Sequence, residues 1–204
     1  VNYGGNAVIE SENTGISVKG STVLNVTGGT ITADSYALQG RSDSSIHVTD
    51  GKIETTRSNL AAVDISDNST VEVKGGTLVG TKALSGSNEK ITIAGGTFQT
   101  SSGNKVDVSE YLPEGNTQDE NGQVIVDTAT AKFAVDGVGH TTLEKALAAL
   151  KDGSTMTIQP GEYDVTTVRT SKPTYGSSFI IDKKNVTIQA ADPNDKPVLY
   201  GFSN

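Results

Sequence analysis

The chain is expected to fold as an all-β, three-faced parallel β-helix, and three observations predict it. One short phrase recurs four times: Leu24-Asn-Val-Thr-Gly-Gly-Thr-Ile31, Ile46-His-Val-Thr-Asp-Gly-Lys-Ile53, Val71-Glu-Val-Lys-Gly-Gly-Thr-Leu78 and Ile91-Thr-Ile-Ala-Gly-Gly-Thr-Phe98. The copies begin about 20 to 25 residues apart, the coil length of a β-solenoid rather than of a helical repeat. The composition, with 23 glycines, no tryptophan and 5% aromatic residues in 204, suits many short strands joined by tight turns. A flexible Ser/Gly/Thr linker shares that composition but would not keep Val and Ile in strict register.

Each copy justifies its own elements. Leu24 and Val26, Ile46 and Val48, Val71 and Val73, Ile91 and Ile93 alternate with polar residues, the period of a strand with one buried face. Gly28-Gly29, Asp50-Gly51, Gly75-Gly76 and Gly95-Gly96 then force a corner, because glycine tolerates positive φ and close backbone approach. A second strand follows, with Ile31, Ile53, Leu78 and Phe98 turned inward. A third apolar patch completes each coil at Tyr36-Ala37-Leu38, Ala61-Ala62-Val63 and Lys82-Ala83-Leu84. Ala7-Val8-Ile9 is expected to be this third patch in an earlier, incomplete coil. An antiparallel sandwich also uses short strands and glycine turns, but does not require one phrase in a fixed internal order four times.

After Phe98 the pattern changes. Val106-Asp-Val-Ser-Glu-Tyr-Leu112 is expected to form a last strand or a short capping turn. Gln123-Val-Ile-Val126 and Lys132-Phe-Ala-Val135 are expected to pair as a small hairpin. From His140 the period becomes helical, with Leu143, Ala146, Leu147 and Leu150 on one face. Thr141 is placed as N-cap with Glu144 completing a capping box, and Gly153 as the left-handed residue past the helix end. Strands resume at residues 155–158, 162–165, 179–181, 186–188 and 198–200. The expected organisation is β-helix repeats over residues 1–112, a linker or hairpin over 113–139, and a capping helix with the first coils of a second β-helix over 140–204. The pattern opens mid-coil at Val1 and stops just after an apolar run at Asn204, so the chain is expected to be a piece of a longer protein.

Two resemblances sit on these residues. Ala146-Leu-Ala-Ala-Leu-Lys-Asp-Gly-Ser-Thr-Met-Thr-Ile-Gln-Pro-Gly-Glu-Tyr163 resembles the opening of pectate-lyase-like right-handed β-helices. Gly153, Thr155, Pro160, Gly161 and Tyr163 match its motif, and Asn185-Val-Thr-Ile-Gln189 resembles the strand that follows. That resemblance implies a right-handed parallel β-helix (solenoid, three short strands per coil) with one short amphipathic capping helix. Residues 20–126 resemble the Gly-Gly-Thr repeats of large cell-surface proteins of Gram-positive gut and oral bacteria. Gly95-Gly-Thr-Phe98, Val108-Ser-Glu-Tyr-Leu112 and Asn121-Gly-Gln-Val124 match the phrase that closes such blocks. This second resemblance implies an extracellular location on the bacterial cell surface or wall. It implies no reaction, because the fold hosts lyases, hydrolases, epimerases and adhesins alike.

Composition narrows the chemistry. A formal net charge of −8 has the wrong sign for nucleic-acid or anionic-membrane binding. The absence of cysteine excludes disulfides, thiolate metal sites and a cysteine nucleophile. No apolar stretch is long enough for a membrane-spanning helix. On the outward ladders, Asn25, His47, Glu72 and Thr92 stack before the corner, and Thr30, Lys52, Thr77 and Thr97 after it. Neither ladder stacks two carboxylates on successive coils or presents an aromatic stripe for sugar rings. His47 beside Glu72, and His140 at the helix entrance, are the candidate histidines, and both suit structural roles better than catalysis. Asp64 and Asp67, with Asn68, lie in one turn, and Asp192 and Asp195, with Asn194, in another. Carboxylates spaced this way are candidate calcium ligands, although Asp and Asn are also the ordinary residues of turns. No other cofactor is expected.

The function expected from these readings is a non-catalytic segment of a bacterial cell-surface protein, an adhesive or stalk module. Its partner would be a host or dietary glycan, or a host surface protein. The alternative is the N-terminal fragment of a polysaccharide lyase or glycoside hydrolase with its active site beyond residue 204. An uncapped solenoid end would also allow end-to-end self-association.

Overall fold

A coil that alternates apolar and polar residues cannot bury its apolar face alone, so it must stack on a copy of itself. The computed structural model describes residues 1–165 and 181–200. In it the repeats stack as a parallel β-solenoid of about four turns. The first coil contributes β1 (Asn2–Tyr3), β2 (Val8–Ser11) and β3 (Ile16–Val18). The second contributes β4 (Val23–Ala33) and β5 (Leu38–Gly40), the third β6 (Ser45–Thr55) and β7 (Ala61–Ile65). The fourth contributes β8 (Thr70–Val73), β9 (Thr77–Val79) and β10 (Lys82–Ser85), and the last, partial coil β11 (Ile91–Ile93) and β12 (Thr97–Gln99).

Three parallel ladders result. On the first face Leu24, Ile46, Val71 and Ile91 stack in register, as do Val26, Val48, Val73 and Ile93. On the second face Ile9, Ile31, Ile53, Leu78 and Phe98 do the same. On the third, Ile16, Leu38, Val63 and Leu84 align. From the second coil onward these side chains are almost wholly excluded from solvent. Burying each contributes about 1.5–3 kcal/mol. Ala7-Val8-Ile9 is therefore corrected: Ile9 pairs with Ile31, so the segment lies on the second face, and Ile16–Val18 is the third-face strand of that coil. Three apolar letters in a row matched the wrong ladder.

The corner after the first-face strand interrupts it as expected in coils four and five, between β8 and β9 and between β11 and β12, but is gentler in coils two and three. In coils two and three the strand continues through it as a single run of 11 residues, with register shifts at Val26, Thr27 and Thr30. The positive φ of Gly29 (81°) and Gly51 (105°) absorbs the bend without breaking the pairing. Small hydroxyls tie coil to coil where the faces meet: the buried Ser44 Oγ donates to Ser69 Oγ at 3.2 Å, and Thr70 Oγ1 to Ser45 Oγ at 3.0 Å.

Past Phe98 the chain reverses instead of completing its coil. Thr100 N donates to Asn104 O at 2.8 Å, Gly103 takes φ 83°, and Lys105 pairs antiparallel with Gln99. A single 3-10 turn, Ser109–Tyr111, follows, so Val106 to Leu112 is mainly a capping turn. Gln123 pairs antiparallel with Thr97 and closes the second face. β13 (Asn116–Gln118) pairs with β14 (Val124–Val126), and β15 (Phe133–Val135) with β16 (Val138–His140). The expected hairpin between Gln123-Val126 and Lys132-Val135 is thus replaced by two separate pairs, because each segment has a nearer partner in sequence.

The chain divides into two compact units, Val1–Pro113 with Thr117–Ile125, and Glu114–Asn116 with Val126–Asn204. The second unit holds α1 (Leu143–Ala149), β17 (Thr155–Ile158), β18 (Glu162–Asp164), β19 (Thr187–Ala190) and β20 (Val198–Tyr200). β17 pairs parallel with β19, and β18 with β20, while β15 lies antiparallel to β17. Leu143, Ala146 and Leu150 pack with Phe133, Val135, Met156 and Ile158 in its core. The N-cap is Thr142 rather than Thr141, its hydroxyl accepting from Lys145 N at 3.3 Å. That shift puts Lys145, not Glu144, in the third helical position, so no capping box forms. Gly153 has φ 83° but lies three residues past the C-cap Leu150, in the turn leading to β17. The expected strand at residues 179–181 falls almost wholly outside the described residues. No helix among those described is long and apolar enough to cross a membrane.

Candidate functional site

Register puts Asn2, Asn25, His47, Glu72 and Thr92 in one outward file on the first face. Two neighbouring pairs in the file bond, and Lys74 joins the second. Asn25 Nδ2 donates to Asn2 Oδ1 at 2.8 Å, His47 Nδ1 lies 3.1 Å from Glu72 Oε2, and Lys74 Nζ lies 3.2 Å from Glu72 Oε1. Burial raises the Glu72 carboxyl, but Lys74 and then His47 outweigh it and hold it below its ordinary value of 4.5. A carboxylate clamped between two partners is a poor general base, and the arrangement is that of a cross-coil strut. Glu72→Gln is expected to lower stability by about 0.2–1 kcal/mol at pH 7. Because the folded value is depressed, this contribution is present above 4.5 and lost as pH falls through the folded value. Urea titrations of parent and variant should therefore differ at pH 7 and converge in acid.

The candidate metal ligands fall as follows. Asp64 does not lie in the turn with Asp67 but within β7, facing outward on the third face between Gln39 and Ser85, with Arg41 at 3.8 Å. Asp67, at φ 56°, accepts from Ser42 N on the neighbouring coil at 3.2 Å. Asp192 accepts from Asn194 N at 2.8 Å within its own turn, and Asp195 is exposed. Among the described residues no three His, Cys, Asp or Glu side chains gather closely enough to hold a metal ion.

His140 belongs to the second unit, on β16 just before α1. Its Nε2 is buried without a hydrogen-bond partner. Burial, and then Lys145, lower its pKa from 6.5, with Glu114 opposing. The folded state thus resists a proton that the unfolded chain accepts. The sign follows: no penalty above 6.5, and a growing loss of stability as pH falls from 6.5 toward the lowered folded value. In thermal melts between pH 7.5 and pH 5, His140→Phe should lose less stability on acidification than the parent.

The cavity that sequence reasoning missed lies at the end of the solenoid. It measures about 340 Å³ and is bounded on one side by residues 81–84, including β10, and on the other by Thr100, residues 105–108, Glu110 and Tyr111. Burial, and then Glu110, push the Tyr111 hydroxyl up to about 12, so it stays an O–H donor. The backbone N–H of Ser109, then its hydroxyl, and Lys105 hold the Asp107 carboxyl below its usual range, so it stays ionised. Lys105 Nζ is committed to Gln118 O at 3.1 Å. Lys82, exposed at the start of β10, makes no ion pair among the described residues. The Val108-Ser-Glu-Tyr-Leu112 phrase supplies three residues of the second side, but nothing in it marks a cleft. Chemically the cleft offers backbone polar groups, one uncommitted cation and two carboxylates. No protein-family model, no curated protein and no solved structure matches this chain.

Proposed function

We propose that the chain is a non-catalytic module of a bacterial cell-surface protein, an adhesive or stalk segment that presents the cleft beside β10 to a partner. One observation carries this reading: in the described ladders of the solenoid, no carboxylate stands beside another carboxylate on an adjacent coil. Glu72 is flanked by His47 and Thr92, Glu54 by Thr32 and Val79, and Asp64 by Gln39 and Ser85. Hydrolysis of a glycosidic bond ordinarily uses two such groups held across it. The likeness to Gly-Gly-Thr surface repeats and the charge of −8 support an extracellular, wall-associated setting.

A second reading has its own support. In the second unit α1 is followed by two parallel pairs, β17 with β19 and β18 with β20, as at the start of another stack. That order, with the pectate-lyase-like phrase around Gly153 and Tyr163, fits the opening of a polysaccharide-active β-helix.

The test is an assay of the 204-residue chain for polysaccharide turnover and for binding on a glycan array, each with and without calcium. The expected result is no turnover. Depolymerisation of any polysaccharide would overturn the module reading in favour of the enzyme. Binding that requires calcium would direct attention to Asp64 and Asp67, or to Asp192 and Asp195. Calcium-independent binding would leave those turns structural.

A further inference from the structure

Every coil but the last has a third-face strand. β3, β5, β7 and β10 form one parallel sheet, with β10 at its end. The fifth coil lays down β11 and β12 and should then supply the next neighbour of β10. Instead the chain turns back after Gln99 and pairs antiparallel with its own second-face strand. The place of the missing strand is left beside β10, and the 340 Å³ cleft lies there. Among the described residues β10 pairs only with β7. Its other edge carries the peptide N–H and C=O groups that a sheet edge presents to an incoming chain.

We propose that this cleft takes an extended peptide as an added parallel strand, with a carboxylate opposite Lys82 and a small apolar residue opposite Leu84. The proposal rests on the adhesive reading above and names the chemistry of the partner at that same cleft. Strand addition draws its affinity from main-chain bonds and its specificity from alternate side chains. Three features choose the occupant. Register fixes the spacing, since Lys82 and Leu84 align with Ala61 and Val63 on β7 and a further strand would continue the same files. Charge fixes the first position, because Lys82 lacks an ion-pair partner among the described residues. The opposite wall, with exposed Asp107 and Glu110, repels a second acidic residue, so a polyacidic segment is disfavoured. A sugar fits less well. The cleft's aromatic residue, Tyr111, is only 9% exposed and offers no open ring face for stacking.

The experiment uses the full 204-residue chain and a labelled peptide reading acetyl-Gly-Asp-Ala-Val-Ser-Val-Gly, followed by fluorescence anisotropy. Saturable binding is expected, weakened about tenfold by Lys82→Glu and recovered when the peptide's Asp is changed to Lys. N-methylation of alternate peptide amides should abolish binding, and backbone amide shifts should cluster at residues 81–85. Lys82 is exposed, so the variant keeps the fold, which circular dichroism checks. Absence of saturable binding, or binding indifferent to both Lys82→Glu and N-methylation, overturns the proposal. A glycan-array signal lost in Lys82→Glu would assign the cleft to a sugar, overturning strand addition while sparing the adhesive reading. Polysaccharide turnover would instead remove the adhesive reading itself.

Discussion

Phe98→Ala is expected to destabilise the solenoid by about 3–5 kcal/mol, among the largest effects of any single truncation in this chain. Phe98 is wholly buried at the end of the inward file that runs through Ile31, Ile53 and Leu78. The capping segments depend on the same residue through its backbone: Phe98 N donates to Gly122 O at 3.0 Å, and Val106 N to Phe98 O at 2.9 Å. Removing the ring leaves a cavity between Leu78 and the cap, where backbone bonds on both sides limit collapse. Coils exchange energy chiefly with their neighbours, so the loss should fall on the terminal coil first. Hydrogen exchange should speed at β12 and β9 well before β4, and the denaturant midpoint should drop. An unchanged midpoint would show that the cap, not the ring, holds this end.

Gly75→Ala should rival it, for a different reason. A Cβ at Gly75 would lie closer than 3.0 Å to the backbone carbonyl oxygen of Thr49 on the coil below. Coil spacing is set by cross-coil bonds such as Lys74 N to Val48 O at 2.8 Å, so backbone cannot give way without breaking the ladder. Overpacking of this kind costs about 1–3 kcal/mol and more where the neighbour is main chain. Gly20 is the control: it has φ 61° but nothing within 4 Å of an added Cβ. Gly20→Ala should cost only the left-handed penalty, roughly 1–2 kcal/mol. Equal midpoints for the two variants would mean that the backbone at the corner makes room for an added Cβ at little cost.

The solenoid was legible because its information is periodic. Leu24, Ile46, Val71 and Ile91 occupy the same place in one phrase, and stacking of like on like follows from the phrase alone. Where a segment lacked the phrase, letters misled. Val8 and Ile9 matched the apolarity of the third face, yet only pairing with Thr30 and Ile31 shows their ladder. Thr141 and Thr142 are equally good caps by type, and the choice depends on which one places Leu143 and Ala146 in the core. The outward files were read correctly as to order, with His47 beside Glu72, but not the bond by which Lys74 also holds Glu72. The cleft was out of reach altogether. It exists because the chain reverses after Gln99, and an absent strand leaves no mark on the residues that remain.

The coils are unequal in length, and the inequality has a place. From Asn25 to His47 to Glu72 to Thr92 the steps are 22, 25 and 20 residues, by subtraction along the register. In the four copies of the phrase the stretch from first to second face does not vary: Leu24 to Ile31, Ile46 to Ile53, Val71 to Leu78 and Ile91 to Phe98 are all seven residues, and the first coil, where Asn2 aligns with Asn25 and Ile9 with Ile31, has one more. The variation falls mainly between the second and third faces, where Ile31 to Leu38 takes seven residues, Ile53 to Val63 ten and Leu78 to Leu84 six. In the longest of these, residues 56–59 are all exposed and precede β7 without belonging to it. Since each doubling of loop length adds only about 0.6 kcal/mol, this side of the molecule is where insertions can accumulate. The solenoid is thus a ruler with one elastic edge, able to display foreign loops coil by coil while its other corner keeps the pitch.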